Sequence, residues 1–502
     1  MGALRRFGSP LMSLATTYIS SLSTVLLAAA NVYAGNPSDP IVPGQVIVRA
    51  NTPKLLARAM GALSTQFADV AVMDQIEGRP IYLLSYGLTP TQTPTDVDGV
   101  ITELITAGTI PWGELNYAGQ TGEGKTDSLW LSGVAIGSNA FESQYAIPLL
   151  GVPLAHERSR GAGVVIAVID TGIDASHPAL GGSVSTQGVS FVDGTSNTND
   201  DGDGADTDGD GLVDEQVGHG TFVAGIIHLV APDAMLVPVR VLDSEGIAGN
   251  FQIARALAWS IDRGVHIANM SLGEDYRSQA LEDIVAEADA KGVAVFGAAG
   301  NANTDDPREF PACDGSAVGV AALDWDDVKA PFSNFGKRIG LSAPGHTLIL
   351  EGIPDLSKSI IGPVPGGRFA VWSGTSFSTA FASASAALVR AQHPEWPTQR
   401  VGAGRIRLTL QTILGDTGAP LTASNPSYGG LLGRARVSAA NAVAIGPIAP
   451  ARGDINADGT VDAADLSFML EVWGPTPGGS RADLDASGDV GASDLSLLLY
   501  GW

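Results

Sequence analysis

Three kinds of apolar segment recur along the chain. The first is unbroken: Val164-Val165-Ile166-Ala167-Val168-Ile169 runs into Asp170-Thr171-Gly172, and Val293 to Phe296 runs into Gly297-Ala298-Ala299-Gly300-Asn301. Apolar runs without alternation read as strands buried on both faces of a parallel sheet. Asp170 then falls at a strand's carboxyl end, where open α/β sheets place their ligands. The second kind is built from small residues. Gly218-His219-Gly220-Thr221-Phe222-Val223-Ala224-Gly225 and the run Phe381 to Val389 read as tightly packed helices, opened by His219 and by Gly374-Thr375-Ser376-Phe377-Ser378-Thr379-Ala380. The third kind is mixed. Gln45 to Arg49 and Pro80 to Leu84 are strand-like and Val97 to Ala107 is helix-like, which predicts a small α+β unit over residues 43–117.

Ser376 falls where the N–H groups of a helix's first turn are unpaired and the dipole favours negative charge. That suits a nucleophile whose reaction develops an oxyanion, although Gly-Thr-Ser before a helix is also an ordinary cap. Serine attack needs a base for its proton and a carboxylate to orient that base. His219 and Asp170 are residues of those types, and the chain order is Asp170, His219, Ser376. At these three motifs the chain resembles the subtilisin-like serine proteases (subtilases), which carry the same motifs in the same order.

The resemblance runs from about Gln144 to Val443 and takes in Phe332-Ser333-Asn334-Phe335-Gly336 and Ala343-Pro344-Gly345. It implies a subtilisin-like three-layer α/β domain with a mostly parallel sheet over residues 144–445, acting on protein or peptide substrates. It makes Asn301 the oxyanion-hole donor, an amide aimed with the Ser376 N–H at the developing negative oxygen. Asn269-Met270-Ser271-Leu272-Gly273 matches the stretch that pairs with an extended substrate in relatives. Ser271, Leu272 and Gly273, with Ala299 and Gly300, are therefore expected to bind substrate. Several positions depart from the pattern. Ala380 stands where many relatives have proline, Phe222 where a second histidine is common, and Ala179 where a calcium-binding aspartate is usual. His177 reads as a packed structural histidine. Glu274 and Asp275, taken as exposed loop acids, would favour basic residues in the substrate if they faced it.

Residues 1–34 read as a signal peptide: Arg5 and Arg6 precede an apolar stretch through Val25-Leu26-Leu27-Ala28-Ala29-Ala30, and Val32-Tyr33-Ala34 offers small residues for cleavage. An uncleaved anchor is the competing reading. Glu114-Leu115-Asn116-Tyr117 resembles the end of an inhibitory propeptide, which makes 43–117 a propeptide-like domain and 118–143 the linker and processing region. An unrelated N-terminal domain is the alternative. The single cysteine, Cys313, excludes an internal disulfide and reads as a small buried residue.

The net charge of −25 argues against nucleic acid as a partner. Its placement is informative, because 17 of the chain's 53 acids lie in residues 199–215 and 450–502. Asp206, Asp208 and Asp210 fall at alternate residues, with Gly at the turns, in the pattern of a Ca²⁺-wrapping loop, and Asp214 and Glu215 follow close behind. A solvated acidic loop is the alternative. After a linker at 446–453, the tail 454–502 holds a near-repeat. Asp454, Asn456, Asp458, Thr460, Asp462 and Asp465 occupy the ligand positions of one loop, and Asp483, Asp485, Ser487, Asp489 and Asp494 those of a second. Each loop is followed by a short apolar helix. The pair is similar to a dockerin, a small all-α paired calcium-loop module, and implies a cohesin-like or cell-surface partner. The combined expectation is a secreted, calcium-dependent serine endopeptidase, made as a precursor and without membrane attachment after signal removal. A catalytically silent surface or scaffold protein is the competing class.

Overall fold

The computed structural model describes residues 41–123 and 136–444, apart from 193–194, 275–276, 306–308 and 399–400. In the tail it describes 463–475, 482, 484 and 489–501. The expected signal peptide lies outside these residues. The chain divides into two compact units, one ending at Ala118 and one beginning at Gly119.

In the first unit, β1 (Ile41–Arg49), α1 (Pro53–Ser64), β2 (Ala68–Gln75), β3 (Ile81–Gly87), α2 (Pro94–Thr106) and β4 (Gly113–Gln120) follow one another. The strands pair antiparallel in the order β2-β3-β1-β4. Both helices start where their sequences allow: Pro53 and Pro94 open them, Thr52 caps the first, and the Thr93 N–H donates to Asp96 (2.7 Å) in the second. Their apolar faces meet the sheet through Leu63, Val97 and Ile101 against Val46, Val48 and Leu84. The helix α1, with Gly61 in its interior, was not anticipated from the pattern.

The second unit is built on seven parallel strands, β5 (Val165–Asp170), β6 (Val189–Ser190), β7 (Met235–Arg240), β8 (Ile267–Met270), β9 (Ala294–Ala298), β10 (Ala317–Leu323) and β11 (Ile339–Pro344). They are ordered β11-β10-β9-β8-β5-β7-β6. The order in which strands are added reverses between the parallel neighbours β5 and β8, so their carboxyl ends flank a crevice. The longer helices around the sheet are α3 (His219–Val230), α4 (Asn250–Asp262), α5 (Gln279–Lys291), α6 (Thr375–Ala391) and α7 (Ile406–Thr417). Residues of α3, α6 and α7 share one core with Ile166, Val168, Leu236, Phe296, Val320 and Leu341, while α4 and α5 pack on each other outside it. The alternate strand positions Ala167, Ile169, Val239 and Val295 are buried too, which explains the unbroken apolar runs.

Helix α6 is the packing centre: every residue from Thr375 to Arg390 is buried. Its alanines and serines let neighbouring backbone come close, and the buried hydroxyls are satisfied. Ser383 Oγ donates to Asn269 Oδ1 (2.9 Å) and Ser385 Oγ to the Phe381 carbonyl (2.8 Å). Ala380 leaves the helix continuous, as its propensity requires. In the tail, α8 (Ala463–Glu471) and α9 (Ala492–Gly501) enclose a small core of Met469, Ala482, Val490 and Leu498. No helix among the described residues is long and apolar enough to cross a membrane.

Candidate active site

Three elements deliver the expected triad residues to the crevice. Asp170 ends β5, His219 opens α3, and Ser376 lies in the first turn of α6. The His219 Nδ1 lies 2.7 Å from Asp170 Oδ1, which also accepts the Thr171 N–H (2.8 Å). Close approach of α3 to the strand end depends on Gly220, since a Cβ there would sit 2.1 Å from the Gly172 carbonyl oxygen. The imidazole stands edge-on to Trp372 (5.5 Å between ring centres) and tilted against Phe377. Phe222 packs on the same two rings. Its departure from the histidine common in relatives therefore serves an apolar wall.

Ser376 Oγ does not meet His219 directly. It donates to Glu123 Oε2 (2.7 Å) and to the Ser271 carbonyl (3.1 Å), and His219 Nε2 lies 3.2 Å from the same Glu123 oxygen. The other Glu123 oxygen accepts from Asn301 Nδ2 (3.2 Å). Asn301 is aimed by its carbonyl oxygen, which accepts from both the N–H and the hydroxyl of Thr375 (3.0 Å each). Burial alone would pull the His219 pKa down. The charge and hydrogen bond of Asp170, joined by those of Glu123, overcome it and raise the pKa to about 10.

The expected substrate stretch lies beside the nucleophile. Ser271 Oγ donates to the Ser376 carbonyl (2.9 Å), and Gly273 exchanges both backbone hydrogen bonds with Gln120 (3.0 and 3.1 Å). Leu272 is buried. The turn through Ala299 and Gly300 is braced by Asn334, which donates to the Ala299 carbonyl (2.8 Å) and accepts from Ala302 and Thr304. Glu274 is buried, not exposed on a loop, because its backbone pairs with Phe310 and draws it into the unit; Asp275 lies outside the described residues. His177 is buried, with Nε2 on the Arg368 carbonyl (2.9 Å) and Nδ1 accepting from Ala179. Cys313 is only half-buried, and burial pushes its thiol up to about 11.

The acidic loop resolves into two groups. Oxygens of Asp206, Asp208 and Asp210 lie within 4.8 Å of one another, and so do those of Asp208, Glu215 and Glu245. Asp214 is turned away, accepting from the backbone of Asp203 (2.9 Å) and Gly204 (3.0 Å). Glu245 is 2 % exposed and its Oε2 has no hydrogen-bond partner. A buried orphaned carboxylate oxygen facing two further acids is a donor set fitted to a hard cation. Crowding has a cost: burial first, then Asp210, Glu245 and Asp208, push Glu215 up to about 7. In the tail, Asp465 and Asp494 are buried, and Asp494 accepts from the backbone of Leu484 (2.6 Å) and Gly491 (2.9 Å). Asp489 lies in a short strand paired with Gly474–Pro475. Asp454, Asn456, Asp458, Thr460, Asp462, Asp483, Asp485 and Ser487 lie outside the described residues.

Sequence reasoning missed four contributors. Glu123 sat unmarked in a presumed linker, Thr375 was hidden by its serine neighbour, and Glu245 lies 30 residues from its partner Glu215. Asp200 is lost in the acidic run, yet it accepts from Gly218 N, Thr221 N and Thr171 Oγ1 (3.0 Å each) and from Thr221 Oγ1 (2.6 Å). It thereby caps α3 and ties it to the strand end carrying Asp170.

Residues 161–428 match the profile of the Subtilase family. Subtilisin NAT of Bacillus subtilis subsp. natto is 33% identical over 287 residues, covering 54% of this chain and 67% of that protein. Subtilisin BL of Lederbergia lenta is 33% identical over 267 residues, 51% of this chain and 87% of that protein. Among solved structures, fervidolysin from Fervidobacterium pennivorans, a keratinolytic enzyme related to subtilisin, superposes with a TM-score of 0.60 at 19% identity, over 82% of this chain and 62% of that one. Its likeness is one of fold. The family match and the relatives together answer the question of class against a silent scaffold: the chain belongs to the Subtilase family and is a serine-type endopeptidase.

Proposed function

We propose that this chain is a secreted, calcium-dependent endopeptidase made as a precursor, with Asp170, His219, Ser376 and Asn301 as its catalytic residues. The observation that carries the assignment is the convergence of Ser376 Oγ, His219 Nε2 and Asn301 Nδ2 on one carboxylate. That carboxylate stands in for a reacting carbonyl group, with one oxygen on the amide donor and the other between nucleophile and base. In the reaction Ser376 Oγ attacks the scissile carbonyl carbon and His219 Nε2 takes its proton. Asp170 holds the imidazole through Nδ1 and stabilises its cation. Asn301 and the Ser376 N–H receive the oxyanion in a buried site where such donors act strongly. His219 then protonates the leaving amine, and water releases the acyl group by the same path. Ser271, Leu272 and Gly273 would hold the extended substrate as a paired strand, with Ala299 and Gly300 opposite. Burial of Glu274 removes the argument for a basic preference, and broad cleavage of extended segments is the expectation.

Asp206, Asp208, Asp210, Glu215 and Glu245 would hold Ca²⁺, with the orphaned Glu245 oxygen as the supporting observation. The ion would neutralise the crowded acids and pin the loop between β5 and α3. In the tail, residues 454–465 and 483–494 would hold further calcium, and the exposed Phe468, Leu470, Trp473 and Leu499 suit a docking face for a cohesin-like or cell-surface protein. Residues 1–34 would direct export and 43–117 act as a propeptide.

The test is casein hydrolysis and fluorophosphonate labelling of the refolded chain, with calcium or EDTA, beside Ser376→Ala. Calcium-dependent hydrolysis and labelling, both lost in the variant, are expected. Hydrolysis that survives the substitution would refute the assignment of Ser376.

A further inference from the structure

The chain enters the site at the end of β4 (Gly113–Gln120) and turns at Gly122 and Glu123. Gln120 exchanges backbone hydrogen bonds with Gly273, and the Thr121 N–H donates to the Gly246 carbonyl (3.0 Å). Pairing of this kind fixes register, and with it which residues follow at the reacting groups. The next two residues reach the reacting groups. A Cβ added to Gly122 would lie 2.9 Å from Asn301 Nδ2, and the side chain of Glu123 touches Ser376, His219 and Asn301. Gly122 thus lies against the oxyanion donor, and the residue after it reaches the nucleophile, the base and that same donor with its carboxylate.

We propose that the Gly122–Glu123 bond is the bond this endopeptidase cuts in its own chain, and that the Glu123 carboxylate is the latch that delays the cut. The inference rests on the precursor reading above and gives it a position. The latch occupies everything the reaction needs: Oε1 takes the Asn301 amide, and Oε2 takes the Ser376 hydroxyl and faces the imidazole. Its seat exists because residue 374 is glycine, since a Cβ there would lie 1.5 Å from Oε1. Cutting requires the carboxylate to swing out and the Gly122 carbonyl to replace it. Ser376 Oγ then bonds to the Gly122 carbonyl carbon while its proton passes to His219 Nε2. Collapse of the tetrahedral oxyanion breaks the carbon–nitrogen bond, and His219 returns the proton to the Glu123 nitrogen, which leaves as a new amino terminus. Water adds to the Gly122 ester, its proton passing through His219 to Ser376 Oγ, and a Gly122 carboxylate departs.

The charged groups around His219 give the latch a pH dependence. Asp170 faces Nδ1 and Glu123 faces Nε2; Asp200 lies behind Thr171 and Thr221, and the remaining wall is Trp372 and Phe377. Two carboxylates keep the imidazole protonated at neutral pH, with its pKa raised to about 10. The base is freed, and the clamp on it lost, as pH rises toward that value. Removing one carboxylate moves the change to lower pH.

The experiment follows the refolded full chain by intact mass and amino-terminal sequencing at early times between pH 6 and 10, beside Glu123→Gln and Ser376→Ala. Casein hydrolysis and fluorophosphonate labelling are read in parallel. The expected first products end at Gly122 and begin at Glu123, appear faster as pH rises, and are absent in Ser376→Ala. Glu123→Gln, of the same shape, should be cut at the same bond about tenfold faster at pH 7, which corresponds to a profile moved down by about one pH unit. An active, casein-hydrolysing protein whose first cut lies elsewhere would overturn the site. An unchanged rate and pH profile in Glu123→Gln would overturn the latch. Absence of self-cutting, hydrolysis and labelling together would sink the endopeptidase reading, and this inference with it.

Discussion

Two sets of acids flank the start of helix α3 and are treated in opposite ways. Asp170, Asp200 and Glu123 are buried, yet their oxygens meet donors from Thr171, Gly218, Thr221, His219, Asn301 and Ser376. Asp206, Asp208, Asp210, Glu215 and Glu245 instead face one another, and nearby backbone N–H groups answer only part of their charge. The first set is answered by protein donors at every oxygen but Asp170 Oδ2. The second would be completed by the cation proposed for it. Acid density along the sequence does not separate the two; the donors opposite each carboxylate do.

The comparison is sharpest where the first set does chemistry. Ser376→Ala should lower kcat by about 10⁶-fold, a magnitude borrowed from the subtilisins themselves. Asp170→Asn should cost about 10⁴-fold, as for triads generally, because the wrong tautomer is then held at Nδ1. Asn301→Leu should cost about 10²–10³-fold in kcat with KM little changed, again the loss known for such a donor in subtilisins. Steady-state kinetics on a chromogenic peptide, after removal of the segment through Gly122, would measure all three. Loss of less than tenfold in Asp170→Asn would break the claim that this acid orients the base.

Asp200 tests the same set on its structural side. Replacing it by Ala leaves the Thr171 and Thr221 hydroxyls and two backbone N–H groups without their acceptor. Such orphaned groups cost about 1–3 kcal/mol, so unfolding of the Ser376→Ala protein, which cannot digest itself, should occur at clearly lower denaturant. A variant as stable as its parent would show that the buried acid is not the clasp of α3.

Much of this was legible beforehand because periodicity and residue type carried it. Unbroken apolar runs ending in Asp170 and ahead of Asn301 read as buried strands of a parallel sheet, which they are, and such strands place those residues at the crevice. The small-residue run after Ser376 likewise required a helix packed on all sides. What could not be read was any partnership made by the fold alone. Glu123 is 253 residues from Ser376, and Glu245 lies beyond helix α3 from the loop it completes. Asp214 stands outside both acidic groups for a local reason. Its left-handed backbone (φ 61°) turns the carboxylate to Asp203 and Gly204, although its spacing suited a ligand.

Asp214 supplies the finest test of the comparison, a contrast between Glu245 of the second set and an acid of the same loop that stands outside it. Calcium at a hundred times its dissociation constant would stabilise the folded state by about 2.7 kcal/mol, and EDTA would remove that gain. If the cation is held by Asp208, Glu215 and Glu245, Glu245→Gln should lose most of the calcium-dependent rise in melting temperature in the Ser376→Ala background. Asp214→Asn should keep it, while becoming somewhat less stable with or without calcium because its acceptor for two backbone N–H groups is weakened. Calcium bound elsewhere in the chain adds the same increment to both variants and cancels in the difference. Equal loss in the two would return the ligand set to the spacing-based one, and no loss in either would leave the loop as solvated acids held by their own turns.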